Sequence, residues 1–312
     1  VYRMGSGLLD IGSSALLSSQ RALDIVSHNV ANVNTPGYSR QQVNLTTRLP
    51  QLSSSGFIGT GVNVSAITRS YDQFITNELR SGTSGFREAD TLASLANGLD
   101  NLLADQSTGL SPVLGSFFDS FQGVANDPTS IAARQALLCE AGSLSTRFQS
   151  LSNWREDTRR GLATRMNTDV QQVNQLAGSI ASLNQQIVEA RGSAAGQPPN
   201  DLLDQRDQKL LELAELVSIT TTTQEDGSLN VFIGSGQSLV LGVQQSTLGL
   251  VERTNDPGQF DITIGVPGSP AVPVTGLITG GDLGGVLRYR DQVLVPAMND
   301  LGRLAIELGT FM

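Results

Sequence analysis

The residues whose types and spacing could do chemistry include three aspartates placed three apart, Asp201, Asp204 and Asp207. Such carboxylates could ligate a cation or complement the dipole of a helix. Members of an i, i+3, i+6 series drift around a helix instead of converging, and no glycine-punctuated calcium loop surrounds them. We therefore interpret them as an acidic first helical turn with Arg206 as a surface or interface partner, and we predict no metal site.

The chain has a single histidine and a single cysteine. His28 is accompanied by neither zinc-ligand spacing nor a Gly-x-Ser-x-Gly elbow, so we predict a polar position in a helix interface. Cys139 ends an apolar Ala-Leu-Leu-Cys run, which predicts a small buried hydrophobe rather than a reactive thiol. Gly234-Ser235-Gly236 lacks the lysine of a phosphate loop and predicts a hairpin turn. The sequence therefore predicts no catalytic residue and no cofactor.

The composition of the 312 residues favours long helices over one thick core, since aromatic residues make up only 5% of the chain. A net charge of −9 argues against a nucleic-acid surface, because phosphate binding needs clustered lysine and arginine. No apolar run is long enough to span a bilayer, and the first residues lack the pattern of a secretory signal peptide. We predict neither nucleic acid nor membrane as a partner.

A heptad repeat marks the N-terminal element. Leu9, Leu16, Leu23 and Val30 stand seven residues apart, and Val26 lies three residues after Leu23. This spacing predicts the apolar seam of a coiled coil. Because an isolated helix of this length is marginal in water, the seam needs a partner helix from the same chain or from a neighbour.

The seam is followed by residues that stop helices. Asn32 and Asn34 tolerate left-handed backbone, and Pro36 cannot continue a helix. Gly37 then supplies a turn before Tyr38. We predict that the first helix ends here and that the chain turns outward.

Helical periodicity resumes near Glu88 and is strongest between residues 131 and 191. Ser111 and Asn200 are polar residues of the N-cap type, and we predict that each caps a helix. After residue 217 the composition shifts to alternating Val, Ile, Thr and Gly, which predicts antiparallel hairpins. From Gly285 a leucine heptad returns, with a kink predicted at Pro296.

The predicted fold is mainly α with a small antiparallel β region, arranged as an elongated helical bundle or coiled-coil rod. We divide it into an N-terminal assembly helix and turn, an extended linker with the long helical bundle, a small β-hairpin region, and a helix returning to the bundle: 4–50, 51–216, 217–284 and 285–312. The last helix reaches Met312 without a C-cap, so we expect the chain to be truncated there.

The run from Ser27 to Arg40, with Gln20-Arg21-Ala22-Leu23-Asp24 before it, resembles the amino-terminal segment shared by flagellar rod, hook and hook-associated proteins. Two further segments, 200–207 and 285–296, resemble parts of the hook-associated protein 1 family, which lies at the hook–filament junction. The resemblance covers nearly the whole chain and is weakest over 253–276.

The resemblance implies a non-enzymatic adaptor that joins hook to filament and is required for filament assembly. It implies an extracellular location in the flagellum after type III export without a Sec signal. The implied partners are other copies of the chain, the hook protein, the next hook-associated protein and an export chaperone acting through a C-terminal part absent here. Its assembly residues are then expected to be Leu9, Leu16, Leu23, Val26, Val30, Asn32, Asn34, Pro36, Gly37 and Tyr38.

Family members pair a C-terminal helix with the N-terminal one, so the order of residues 4–50 is expected to depend on that partner. Two alternatives remain. The first is a hook or rod protein of the same superfamily. The second is an enzyme, a cell-wall hydrolase accompanying flagellar assembly, which would need a carboxylate pair in a cleft with aromatic platforms. The scarcity of aromatic residues weighs against the hydrolase.

Overall fold

The computed structural model describes residues 4–53, 56–103, 109–193, 197–256, 258–266 and 268–311. Within these ranges the chain forms seven α-helices: α1 Met4–Ala31, α2 Gln73–Leu103, α3 Leu110–Asn126, α4 Ile131–Ser193, α5 Asn200–Leu216, α6 Gly281–Tyr289 and α7 Val295–Phe311. The strands in the same ranges are β1 Gln41–Thr47, β2 Gln51–Ser53, β3 Gly56–Ile58, β4 Val62–Arg69, β5 Ile219–Thr223, β6 Leu229–Ile233, β7 Gln237–Leu241, β8 Gln244–Gln245, β9 Thr247–Glu252, β10 Phe260–Gly265 and β11 Val272–Pro273. The mainly α fold with a small antiparallel β region is confirmed.

Helix α4 is the longest element and organises the others. Its 63 residues extend about 95 Å at 1.5 Å per residue. Helices α3 and α5 pack along α4, while α2 packs on α5 and α6. The heptad positions predicted in its second half are all buried: Met166, Val170, Val173, Ala177, Ile180, Leu183 and Ile187. The division into four segments stays a prediction.

The chain buries its apolar residues in two clusters, not one. The larger joins the second half of α4 to α5, α6 and strands β6, β7, β9 and β10. The smaller is centred on five residues of α3, α4 and α7: Leu110, Phe117, Leu144, Leu151 and Leu308. A long helix can hold two separate cores because each core covers only part of its length.

The β region consists of a four-stranded sheet in the order β5-β6-β7-β8 and a three-stranded sheet in the order β11-β10-β9. Asn174 and Asn184 of α4 each hydrogen-bond one of the two sheets. The Asn174 amide donates to Leu248 O at 2.8 Å, and the Asn184 amide donates to Leu229 O at 2.8 Å. The turn predicted at Gly234–Gly236 joins β6 to β7, where Gly236 N donates to Ile233 O at 3.2 Å.

Several predicted helix starts were wrong. Helix α2 begins at Gln73 rather than near Glu88, because Asp72 Oδ1 accepts hydrogen bonds from the amides of Phe74 at 2.8 Å and Ile75 at 3.2 Å. That is an aspartate N-cap, which can start a helix without apolar periodicity.

Neither predicted polar cap at α3 and α5 is used. Gly109 is the N-cap of α3, with no side-chain cap bond, so Ser111 lies inside the first turn. Helix α5 starts at Asn200 itself, after Pro199, and the Asn200 amide donates instead to Ile67 O at 2.9 Å. Asn200 therefore holds strand β4 rather than its own helix end.

The helix is irregular just before Pro296, where a kink is predicted. Helix α6 begins at Gly281, four residues earlier than predicted, and residues 290–294 form a π-helical turn before α7. Its wider loop is closed by Val295 N donating to Arg290 O. Proline lacks an N–H and cannot continue a regular hydrogen-bond ladder, so the irregular turn is placed directly before it.

Cys139 is exposed, contrary to the prediction of a buried residue. The inward face of this part of α4 is formed by Leu137, Ala141 and Leu144. Position 139 is two residues from 137 and so points to the other side of the helix. An apolar run in the sequence shows which residues could be buried, but not which side faces the core.

Three helices meet at a charged contact. Arg165 of α4 donates to Asp282 of α6 from Nε at 2.8 Å and from Nη2, and Thr91 of α2 donates to the same carboxylate. Asp169, one turn along α4, is only 5% exposed. Its burial and the adjacent Asp282 charge raise the pKa of Asp169 from 3.8 to about 7, while Arg165 opposes the shift.

The raised pKa predicts that stability falls between mildly acidic and neutral pH. From about pH 4 to about pH 7 the folded chain keeps a proton on Asp169 that the unfolded chain releases, so this contribution is full at low pH and is lost as pH rises through 7. Replacing Asp169 by asparagine removes the titration. We expect the variant to gain about 2 kcal/mol over the wild type at about pH 8 and little at about pH 4, measured by urea denaturation.

The matched control is Asp157→Asn, an exposed aspartate of the same helix. Its denaturation midpoint should follow the wild type at both pH values, since an exposed ion pair contributes little. An equal difference between Asp169→Asn and the wild type at the two pH values would contradict the assignment.

Candidate assembly site

Helix α1 contacts its own chain through small polar residues. Ser14 and Ser18, 7% and 5% exposed, are its buried side chains among those described. Ser14 Oγ accepts a hydrogen bond from Val62 N at 3.3 Å. Gly61 beside it has a φ of +108°, and a Cβ there would overlap Ser14, so α1 lies directly on the backbone before β4. A helix that completes a core normally buries its apolar face instead.

The predicted seam residues lie on the open face of α1. Their exposed fractions are 74% for Leu9, 74% for Leu16, 67% for Leu23, 56% for Val26 and 68% for Val30. Burial of such a side chain contributes about 1.5–3 kcal/mol. Most of the apolar surface of the seam is therefore exposed and available to a partner helix. The role of the seam in assembly stays a prediction.

The predicted stop after α1 is a tight turn. Tyr38 N donates to Thr35 O at 3.2 Å, with Pro36 and Gly37 between them. Gly37 has a φ of +78°, which suits glycine at the third position of a type II turn. A Cβ on Gly37 would also lie 2.8 Å from Gln208 Oε1 of α5. The turn thus needs glycine for its conformation and for its contact with α5.

Asn29 connects the end of α1 to the start of β1. Its Oδ1 accepts from Tyr38 Oη at 2.7 Å and from Gln41 N at 2.8 Å, and its amide donates to Gln41 O at 2.8 Å. Of the two asparagines singled out in the sequence, Asn32 bonds His28 O of its own helix at 3.0 Å, while Asn34 is exposed. The sequence analysis does not single out Asn29. Its position just before the end of the helix was a signal that could have identified it.

The three aspartates of α5 join this turn to the bundle. Asp201 accepts from Gln41 Nε2 at 2.7 Å and lies 3.4 Å from His28 Nε2. His28 therefore occupies a polar interface, as predicted. Because a step of three residues turns a helix by 300°, each aspartate faces a different neighbour. Asp201 faces α1 and β1.

Asp204 and Asp207 make the stronger contacts. Asp204 accepts from Ser39 N at 2.8 Å and from Arg69 Nη1 at 2.7 Å. Asp207 accepts from Arg80 Nη2 of α2 at 2.6 Å, and its other oxygen lies 2.7 Å from Arg69 Nη1. The side chains of Arg69 and Arg80 are 11% and 5% exposed. These ion pairs are thus largely removed from water.

The interpretation of this motif as a solvated acidic turn was wrong for two of its three aspartates. Asp204 is 5% exposed, and Arg206, predicted on a surface or interface, is 4% exposed. The arginine partners of Asp204 and Asp207 lie more than 120 positions earlier in the chain, which local spacing cannot reveal. We call the contacts of Asp201, Asp204 and Asp207 with the N-terminal elements the α5 joint.

The electrostatics of the joint keep the Tyr38 phenol protonated. Burial, and then the negative charges of Asp201 and Asp204, raise the pKa of Tyr38 above its ordinary value of 10.0. The hydroxyl therefore remains a donor to Asn29 at physiological pH. The His28 ring meets the Tyr38 ring edge-on at 5.5 Å, so the two side chains close the turn together.

Replacing Asn29 by alanine should loosen this turn. The change removes three hydrogen bonds and leaves Gln41, 7% exposed, without a partner for its backbone groups on this side. We expect a local loss of about 1–3 kcal/mol and hence amide exchange of Gln41 at least about tenfold faster, measured by hydrogen–deuterium exchange.

Asn34→Ala is the control, because Asn34 is exposed and makes no side-chain hydrogen bond with the part of the chain that the structure describes. Its exchange rates should match the wild type. Unchanged exchange of Gln41 in the Asn29 variant would show that Asn29 does not hold the turn.

The described residues contain no group of three or more His, Cys, Asp or Glu side chains placed to hold a metal ion. Across those same ranges, none of the helices has the length and hydropathy to cross a bilayer. The carboxylates of the α5 joint already contact arginine and amide groups, so they attach the N-terminal elements to α5.

A long helical bundle whose first helix buries small polar residues and leaves an open apolar face is typical of proteins that pack against further helices. Comparisons with known proteins agree. Residues 96–312 match the family described as the flagellar hook-associated protein FlgK helical domain. Residues 9–38 match the flagella basal body rod protein family.

Curated relatives are similar over most of the chain. Flagellar hook-associated protein 1 of Salmonella typhimurium is 37% identical over 303 residues, which cover 96% of this chain and 55% of that protein. The Bacillus subtilis protein of the same name is 32% identical over 227 residues, 70% of this chain and 44% of that protein. The chain thus spans about half the length of the curated relatives it matches.

Among solved structures, the flagellar hook junction protein FlgK from Burkholderia pseudomallei aligns with a TM-score of 0.68 and 31% identity, covering 73% of this chain and 41% of that one. The chain belongs to the flagellar hook-associated protein FlgK family.

Proposed function

We propose that the chain is part of a non-enzymatic structural subunit of the bacterial flagellum, an adaptor that joins hook to filament and is required for filament assembly. The observation that carries the proposal is the inverted packing of α1, which buries Ser14 and Ser18 and exposes Leu9, Leu16 and Leu23. A helix built this way gains stability only when a second helix covers it.

The charged joint supports the same role. A subunit in a tube must transmit load from its inner helix to its outer body. The α5 joint links β4 and α2 to α5 through largely buried ion pairs. Helix α1 and strand β1 join it through the contacts of Asp201 with His28 and Gln41. The expected partners are other copies of the chain, the hook protein, the next hook-associated protein and an export chaperone. The proposed location is extracellular, in the exported axial structure.

The hook-associated role is favoured over a hook or rod protein by the family match, which covers residues 96–312 and includes the long helix α4. The hydrolase alternative finds no support in the joint. Asp204 and Asp207 lie against arginines rather than in a cleft with aromatic platforms.

The experiment is immunogold microscopy of intact flagella that carry the full-length protein with an epitope tag, in cells lacking the untagged copy. We expect a single band of label at the hook–filament boundary and restored motility. Label along the hook, or in the cell wall, would overturn the proposal. A strain with the tag on the hook protein provides the spatial reference.

A further inference from the structure

A cavity of about 400 Å³ lies beside the α5 joint, with Arg69 and Asp207 of the joint in its wall. Its walls come from the end of β4, from α4 and α5, and from the turn between β5 and β6. Three arginines line it, Arg69, Arg191 and Arg206, against a single carboxylate, Asp207. Apolar side chains such as Ile187 and Leu229 complete the wall. The cavity is therefore compact, partly apolar and rich in positive charge.

Arg206 is the unusual member of this set. It is 4% exposed, yet its Nη1 donates only to neutral acceptors, Asn184 Oδ1 at 2.9 Å and Gly227 O at 2.8 Å. Among the described residues neither Nε nor Nη2 has a hydrogen-bond acceptor. Those two atoms form the edge of a guanidinium that takes a carboxylate or phosphate through two parallel bonds.

The nearby carboxylates do not neutralise Arg206. Asp204 and Asp207 are taken by Arg69 and Arg80, which leaves three buried guanidinium groups against two carboxylates. Burial, with repulsion from Arg69 and Arg80, lowers the pKa of Arg206 to about 10, although Asp207 opposes the change. The guanidinium stays charged at neutral pH, and an isolated buried charge is unfavourable unless a counter-charge approaches.

Arg191 adds to the same field from the rim of the cavity. Its guanidinium Nη1 makes a long contact of 3.4 Å with the backbone oxygen of Glu225. Arg191 is partly exposed, so it can turn toward a ligand without disturbing the core. Two arginines that line one cavity, one of them with a free guanidinium edge, are typical of a site that binds an oxyanion.

We propose that this cavity binds a compact oxyanion, a carboxylate or phosphate group, held by the free edge of Arg206 and by Arg191. The group can come from a free anion or from an acidic side chain of a second copy of the chain. In either case it supplies the counter-charge for Arg206 and stiffens the α5 joint next to it.

The test follows the Arg206 Nε–Hε signal by nuclear magnetic resonance while inorganic phosphate replaces chloride at constant ionic strength. We expect a shift that saturates. Arg191→Gln should weaken the binding about five- to tenfold, because one of two cationic contacts is lost. Arg160→Gln, on the same helix, changes an exposed arginine that pairs with Asp157, and it should leave the binding unchanged.

A second series dilutes the protein in phosphate-free buffer. If the Arg206 signal changes with protein concentration and Arg191→Gln suppresses that change, the oxyanion is an acidic side chain of a second copy. No saturable shift in either series overturns the proposal. An equal response in the wild type and in both variants also overturns the proposal, because salts can change protein stability without a specific binding site.

Discussion

Replacing Asp207 by alanine should destabilise the folded chain by about 3–5 kcal/mol. The change removes the carboxylate between Arg69 and Arg80, whose side chains are 11% and 5% exposed. Two guanidinium groups would then remain buried beside Arg206 with only Asp204 to oppose them. Leaving one partner of a buried pair without its counter-charge is far more damaging than losing a surface pair. Urea denaturation followed by circular dichroism measures the effect.

The chain provides its own control six residues earlier. The side chain of Asp201 lies on the same helix but is 60% exposed, and it shares its carboxylate with the His28 ring and the Gln41 amide. Asp201→Ala should cost less than about 1 kcal/mol. If both substitutions cost the same, the buried ion pairs are not what holds the joint.

The second large effect concerns assembly rather than stability. Replacing Leu16 and Leu23 by aspartate in the full-length protein should abolish incorporation into the flagellum and hence motility. A partner helix that covers the seam would have to bury two carboxylates, which is strongly unfavourable. The folded chain itself should keep its denaturation midpoint, because both side chains are mostly in water.

Leu17→Asp provides the matched control, since Leu17 is also exposed, at 61%, but lies well off the seam. It should impair incorporation much less. Motility assays and electron microscopy of the flagella give the readout, with export measured in the culture medium. Assembly of the double variant at the wild-type level would show that the seam is not an assembly surface.

Periodicity predicted the parts of this fold that depend on local sequence. The long helix and its buried stripe follow from heptad spacing, and the turn at Gly37 follows from glycine and proline chemistry. Two other features have no periodic signal. The start of α2 depends on the single side chain of Asp72, and the exposure of Cys139 depends on which face of α4 meets the core.

The joint could not be predicted in the same way. Nothing in the spacing of Asp204 and Asp207 distinguishes a solvated turn from a buried one, because that depends on where Arg69 and Arg80 arrive in space. The drift of the series around the helix argues against a cation site. It is what allows one short helix to contact several elements.

The α5 joint also has a consequence for the order of folding. Ser39 and Asp204 are 165 positions apart, and Arg80 and Asp207 are 127 apart. Before either contact can form, the chain must close a large loop, which costs conformational entropy. Such contacts therefore form slowly and raise the contact order of the fold. During synthesis none of them can exist until α5 has left the ribosome. The N-terminal helix can therefore dock on β1 and the start of β4 early, through Asn29 and Ser14, but its connection to α5 forms only after the first 200 residues have been made.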